Sequence, residues 1–85
     1  MRIYMQTPVV EGEPLRFYHL MLQKDLLEGW VIIREWGYQG SRGRIRRDIF
    51  RDYDEAQRTL LGIRDAQLKR GFRVVFMSGS EPLQT

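Results

Sequence analysis

The sequence contains no cysteine. Disulfides, thiolate zinc sites and a cysteine nucleophile are therefore excluded, and the composition fits a reducing compartment. A single histidine, His19, rules out any site that needs two imidazoles. Lysine is almost missing, with Lys24 and Lys69 the only two. No apolar run approaches the ~20 residues of a membrane span, and Met1-Arg2-Ile3-Tyr4-Met5-Gln6 lacks a signal-peptide pattern. Cytoplasmic location without a membrane partner is expected. Internal repeats, low-complexity tracts and domain linkers are also lacking. One domain is expected over residues 1–85, with a core over about 2–77 and a polar tail over 78–85. A chain this short buries only ~60–65% of the surface that its unfolded form exposes.

A hydrophobic content of 42% with 12% aromatic residues argues for a packed core rather than disorder. The net charge is only +3, but it is unevenly spread. Between Arg42 and Arg51 five arginines face one acid, Asp48, a local charge of +4 that leaves the other 75 residues at −1. Arginine in place of lysine favours planar, bidentate contact with phosphate or carboxylate. An arginine excess also follows from a GC-rich genome, but its concentration in one decapeptide does not.

Alternation predicts strands at Arg2–Thr7, Arg16–Gln23, Trp30–Trp36, Arg44–Phe50 and Phe72–Met77. Pro8–Pro14 and Lys24–Gly29 read as connections, and Gly37–Gly43 as a glycine-punctuated loop. In the fourth strand Ile45 and Ile49 are expected inward, with Arg44, Arg46 and Asp48 outward. Arg47 breaks that pattern, which suggests a bulge or a frayed end. Asp52–Arg70 predicts the one helix. Asp52 is the N-cap with Glu55 three residues on, Lys69 and Arg70 suit the C-terminal dipole, and Gly71 ends it. Tyr53, Ala56, Leu60, Ile63 and Gln67 form its apolar stripe, widened by Leu61 and Leu68. The expected fold class is α+β, an antiparallel sheet of about five strands with one long helix packed on one face.

For catalysis the inventory is poor. His19 lies in an alternating strand, where a histidine is ordinarily a hydrogen-bonded core or surface residue. Asp52, Asp54 and Glu55 are explained by capping and the dipole rather than by a cation. Ser41 and Ser78 have no partner base, and Gly37–Gly43 lacks the lysine and serine or threonine of a Walker loop. No enzyme activity, cofactor or metal is expected. The positive signal is the arginine decapeptide beside Trp36 and Tyr38, which bracket Gly37. Flat aromatics at a strand end stack on sugars or bases while guanidinium groups neutralise phosphates. Trp36 also reads as the last core residue of its strand, and Trp30 as core.

The stretch from Arg16 to Phe76 resembles the WGR domain, found in DNA-break-responsive poly(ADP-ribose) polymerases and in small bacterial proteins. The matching features begin with Arg16-Phe17-Tyr18 and Gly29-Trp30-Val31. Trp36-Gly37, Gly40, Gly43, Phe50, Ala56 within the helix and Lys69-Arg70-Gly71-Phe72 follow in order. Mainly the N-terminal strand and the tail lie outside it. The resemblance implies a sheet with one helix and contact with DNA, with Trp36 packing on the sugar of a nucleotide at a strand break. Tyr38 stands where the signature arginine belongs, Gln39 replaces the usual aliphatic, and Arg44 stands where glutamine is common.

The sequence thus points to a non-catalytic nucleic-acid-binding module, with DNA the expected form. Trp36, Gly37, Tyr38, Arg42, Arg44, Arg46 and Arg47 are the candidate contacts. The alternative is a protein-interaction or self-association module that uses the same arginine-rich strand, a homodimer being one form.

Overall fold

A computed structural model describes residues 1–27 and 29–79. The polar tail expected over 78–85 lies, from residue 80 onward, outside the described residues. The elements are β1 (Arg2–Gln6), β2 (Arg16–Asp25), β3 (Gly29–Tyr38), β4 (Arg44–Phe50), α1 (Tyr53–Lys69) and β5 (Arg73–Ser78). The strands form one antiparallel sheet in the order β4-β3-β2-β1-β5. The chain lays down β1 to β4 as neighbours, then crosses the sheet through α1 to place β5 on the far edge. This is the α+β arrangement that the alternation implied.

Residues directly opposite on paired strands share a face, so the register assigns every side chain. Ile3 and Met5 oppose Leu20 and Tyr18, and Tyr18, Leu20 and Leu22 oppose Trp36, Arg34 and Ile32. This face meets α1 through Ala56 and Leu60, and with Phe72 these residues form the core. Ile3, Met5, Leu20, Ile32 and Leu60 are fully buried, each contributing roughly 1.5–3 kcal/mol. Trp30 packs against the rim of that core and meets Tyr53 edge-on at 4.7 Å.

The same register overturns the expected polarity of β4. Trp36 opposes Arg44, Arg34 opposes Arg46, Ile32 opposes Asp48 and Trp30 opposes Phe50. Arg44, Arg46 and Asp48 therefore lie on the helix side, and Ile45 and Ile49 lie on the other face, 63% and 47% exposed. Phe50 joins the core rim beside Trp30, and that parity carries the arginines inward with it. Arg47 marks no bulge, because β4 pairs without a break. The register shift is between β1 and β5 instead, where Tyr4 opposes Phe76 and Met5 opposes Val74.

The helix follows its sequence signals. The Asp52 carboxylate accepts from the Glu55 amide at 3.2 Å, satisfying one of the free donors of the first turn. Gly71 leaves the last turn with φ +104°, a conformation that side chains disfavour. Ala56, Leu60 and Gln67 are the buried stripe, whereas Leu68 is 40% exposed.

Two stability predictions arise here. Gly62 faces open space, with nothing within 4 Å of the point where a β-carbon would lie. Gly62→Ala is expected to raise stability by roughly 0.5–1 kcal/mol in urea unfolding, through helix propensity alone. His19 sits on the face away from the helix, edge-on to Tyr4 at 5.4 Å. Burial and then the Arg2 charge lower its pKa from 6.5, against the opposing pull of Glu35. The unfolded chain thus binds the extra proton first, so this contribution to stability is complete above pH 6.5 and declines as the pH falls below it. His19→Phe should flatten the fall of the melting temperature as the pH drops below 6.5. An unchanged slope would assign that fall to other groups.

Candidate nucleic-acid interface

The last rungs of β2, β3 and β4 carry a group of side chains on the helix side but beyond the helix. Trp36 is half-buried at this end. It stacks on Tyr18, ring centroids 5.6 Å apart and planes 13° off parallel, and Tyr18 in turn meets Phe72 edge-on at 5.9 Å. Trp36 is thus both the outermost member of the core and a wall of the surface beyond it.

Two concavities meet at Trp36. One, of about 290 Å³, runs toward the C-terminus of α1 between Tyr18, Arg34, Arg46, Gln67, Arg70 and Phe72. The other, of about 270 Å³, runs toward the β3–β4 loop between Tyr38, Ser41, Arg42 and Arg44. Arg16, Trp36 and Gly37 line both. Among the described residues, six arginines and no carboxylate therefore line the pair. Asp48 stands just behind them. Its two oxygens hold Arg34 at 3.4 Å and Arg46 at 3.3 Å, so one acid separates two guanidinium groups that face each other across β3 and β4. Burial works against the Arg34 charge, but the Tyr18 hydroxyl, which accepts from Arg34 Nη1 at 3.3 Å, and Asp48 outweigh it and raise its pKa.

The loop that shapes the second concavity is tightly built. Ser41 donates from its amide and its hydroxyl to the Tyr38 carbonyl, at 3.1 Å and 2.8 Å. Gly37 and Gly43 bring the two chains together at its base. A β-carbon on Gly43 would lie 2.8 Å from the Trp36 carbonyl and 2.9 Å from Phe17 Cζ. Tyr38 is 51% exposed, and the Arg16 guanidinium lies over its ring, 5.9 Å from the centroid and 5.5 Å from that of Phe72.

Of the residues singled out from the sequence, Trp36, Gly37, Tyr38, Arg42, Arg44 and Arg46 are brought together. Arg47 is not: it opposes Ile33 and lies on the opposite face of the sheet. Arg16, Gln67 and Arg70 were missed because they are far from Trp36 in sequence and only the strand register and the end of the helix bring them to it, and Arg34, two residues before Trp36, was missed as well. One signal was available. Arg34 alternates with Trp30, Ile32 and Trp36, an arginine on an otherwise apolar face.

The family model of the WGR domain matches residues 1–77. The chain belongs to the WGR family. That family comprises nucleic-acid-binding modules, and the match takes in β1, which the resemblance seen in the sequence had left outside. Comparison with curated proteins and with solved structures gave no match. In this WGR domain the tryptophan and glycine of the signature are Trp36 and Gly37. At the third position Tyr38 carries a guanidinium over its ring, brought there by Arg16 from the neighbouring strand. No helix among the described residues is long and apolar enough to cross a membrane.

Gly43→Ala should cost about 1–3 kcal/mol, because its methyl meets backbone and an aromatic ring rather than a flexible side chain. Chemical unfolding measures the loss. Stability equal to that of the parent would show that the loop can move away without loss.

Proposed function

We propose that this WGR domain is a non-catalytic nucleic-acid-binding module of the cytoplasm whose target is DNA. The observation that carries the reading is the pair of arginine-lined concavities meeting at Trp36. Phosphates would lie along Arg42, Arg44 and Arg46, with Arg16 extending the line from β2. Trp36 offers an aromatic surface at the centre, suited to a sugar or a base at a strand end. The positions of these groups suit a backbone that tracks across the strand ends rather than a duplex groove read by a helix. Arg47 takes no part, since it faces away.

A second reading rests on a separate observation. β4 is an edge of the sheet, and Ile45 and Ile49 are exposed on it. An edge strand of this kind pairs with another chain, as in self-association or docking of a protein partner. Light scattering with and without DNA separates the readings, because a stable dimer indifferent to DNA would favour the second.

The DNA reading makes a face-specific prediction. Each phosphate contact on duplex DNA contributes roughly −0.9 to the slope of log affinity against log salt. Replacing Arg42, Arg44 and Arg46 by serine should therefore weaken binding and flatten the slope by roughly 2.7. Arg47→Ser, on the opposite face, should leave both nearly unchanged. Fluorescence anisotropy with nicked, blunt, single-stranded and RNA probes at several salt concentrations is the measurement. Equal effects of Arg47→Ser and of any one of the three other substitutions would reduce the proposal to general charge attraction.

A further inference from the structure

Among the described residues α1 is the one helix, and it packs on the face that carries Tyr18, Leu20 and Leu22. The other face of the sheet has no layer of its own, yet its sequence is that of a covered face. An antiparallel strand with one wet side alternates apolar and polar residues. β3 instead runs Trp30-Val31-Ile32-Ile33, and from Phe17 to Leu22 β2 is interrupted by His19 alone. On this outer face Phe17, Met21 and Ile33 are half-buried and Val31 is buried. Ile45 and Ile49 of β4 and Phe76 of β5 extend the apolar surface and are exposed.

One rung of the face restricts what fits on it. Arg2, Met21, Ile33 and Arg47 lie directly opposite one another on β1, β2, β3 and β4. Two apolar side chains thus stand between two guanidinium groups. Both arginines are exposed, and neither has an ion-pair partner among the described residues. Three strand spacings separate them, ~14 Å, and a helix with its side chains is about 10–12 Å across. A helix lying along β2 and β3 therefore seats its apolar stripe on Met21 and Ile33 with an arginine on each flank. Acidic residues bordering that stripe would meet both. Glu35 stands one rung nearer Trp36, opposite His19 and Ile45, so the partner's acids belong at the level of the arginines. A second copy is a poorer fit. Set face to face about a two-fold axis through this rung, two copies place arginine over arginine whether the axis runs along the strands or across them. Residues 80–85 are too few for the roughly four helical turns that this face accommodates.

We propose that the outer face of the sheet docks an amphipathic protein helix whose apolar stripe is bordered on both sides by aspartate or glutamate. The contact is with the face and not with the β4 edge, and it leaves the concavities at Trp36 free on the other side of the sheet. Taken with the nucleic-acid reading above, the domain is an adaptor: it holds an acidic helix, which DNA repels, beside the backbone that it binds.

The probe is an alanine-rich peptide of about 18 residues, long enough to be helical, with a leucine stripe and one glutamate on either side of its middle. A second peptide carries lysines in place of the glutamates. In fluorescence anisotropy with the full chain, the glutamate peptide should bind about fivefold more tightly, the worth of two exposed ion pairs. The variant with Arg2→Glu and Arg47→Glu should reverse that preference. Replacing Arg42, Arg44 and Arg46 by serine should leave peptide affinity unchanged, and its loss there would place the peptide on the nucleic-acid surface and overturn the proposal. In the unsubstituted protein the side-chain methyl resonances of Met21 and Ile33 should shift as the glutamate peptide is added, which keeps the test open if the charge-reversed variant does not fold. Equal affinity for the two peptides, or unmoved Met21 and Ile33 resonances, also overturns it. Light scattering that finds a dimer broken by Ile33→Asp would assign the face to a second copy instead. These measurements need no nucleic acid, so their failure leaves the interface at Trp36 as it stands.

Discussion

One helix has to cover a sheet wider than itself. Strands lie about 4.8 Å apart and a helix with its side chains is about 10–12 Å across, so α1 covers two or three of the five strands. It rests mainly on β2 and β3. Both edges overhang, and they are furnished differently. On the helix side, β4 carries Arg44, Arg46 and Asp48 where a wider cover would require apolar residues. At the other edge, β5 presents Val74, Val75, Phe76 and Met77, each at least 41% exposed. The basic surface follows from this shortfall in width: guanidinium groups can lie on the inner face of the sheet because the helix does not reach them.

Trp36 stands where cover gives way to overhang. On one side it belongs to the core through its stack on Tyr18, and on the other it borders both concavities. A tryptophan is large enough to do both, and its indole is held by packing before any ligand arrives. The glycines on either side of the loop serve the same end. Gly43 lets the returning chain pass close to the Trp36 carbonyl, so the loop closes against the strand rather than standing away from it.

Much of the fold was legible because local chemistry and tertiary packing agree. The Asp52 cap, the Glu55 amide that it accepts from and Gly71 mark the ends of α1 within a residue of the observed helix. The strand periods gave all five strands in order. The faces of β4 were misread for a physical reason. Alternation tells which residues lie together but not which side is covered, and the apolar pair Ile45 and Ile49 suggested the wrong side. The pairing of Phe50 with Trp30 decides it, and this is a long-range fact. The candidate site divides similarly. Its local part, from Trp36 to Arg46, was visible as one segment, whereas Arg16 comes from β2, Gln67 and Arg70 from the end of α1, and Arg34 from further back on β3. Arg34 could have been noticed as a charged residue within an apolar face. Nothing local distinguished Gln67 from an ordinary member of the helical stripe.

The pairing of Arg34 with Arg46 has a mechanical consequence. Like charges directly opposite on neighbouring strands push those strands apart, and β4 has no neighbour on its outer side to hold it. Asp48 relieves the strain at that rung, but Trp36 and Arg44 above it have no such acid among the described residues. The loop end of β4 is therefore an open edge that carries like charge across from its neighbour. Any anion that settles among the guanidinium groups does what Asp48 does lower down. It would offset the like charge that β3 and β4 turn toward each other at this edge.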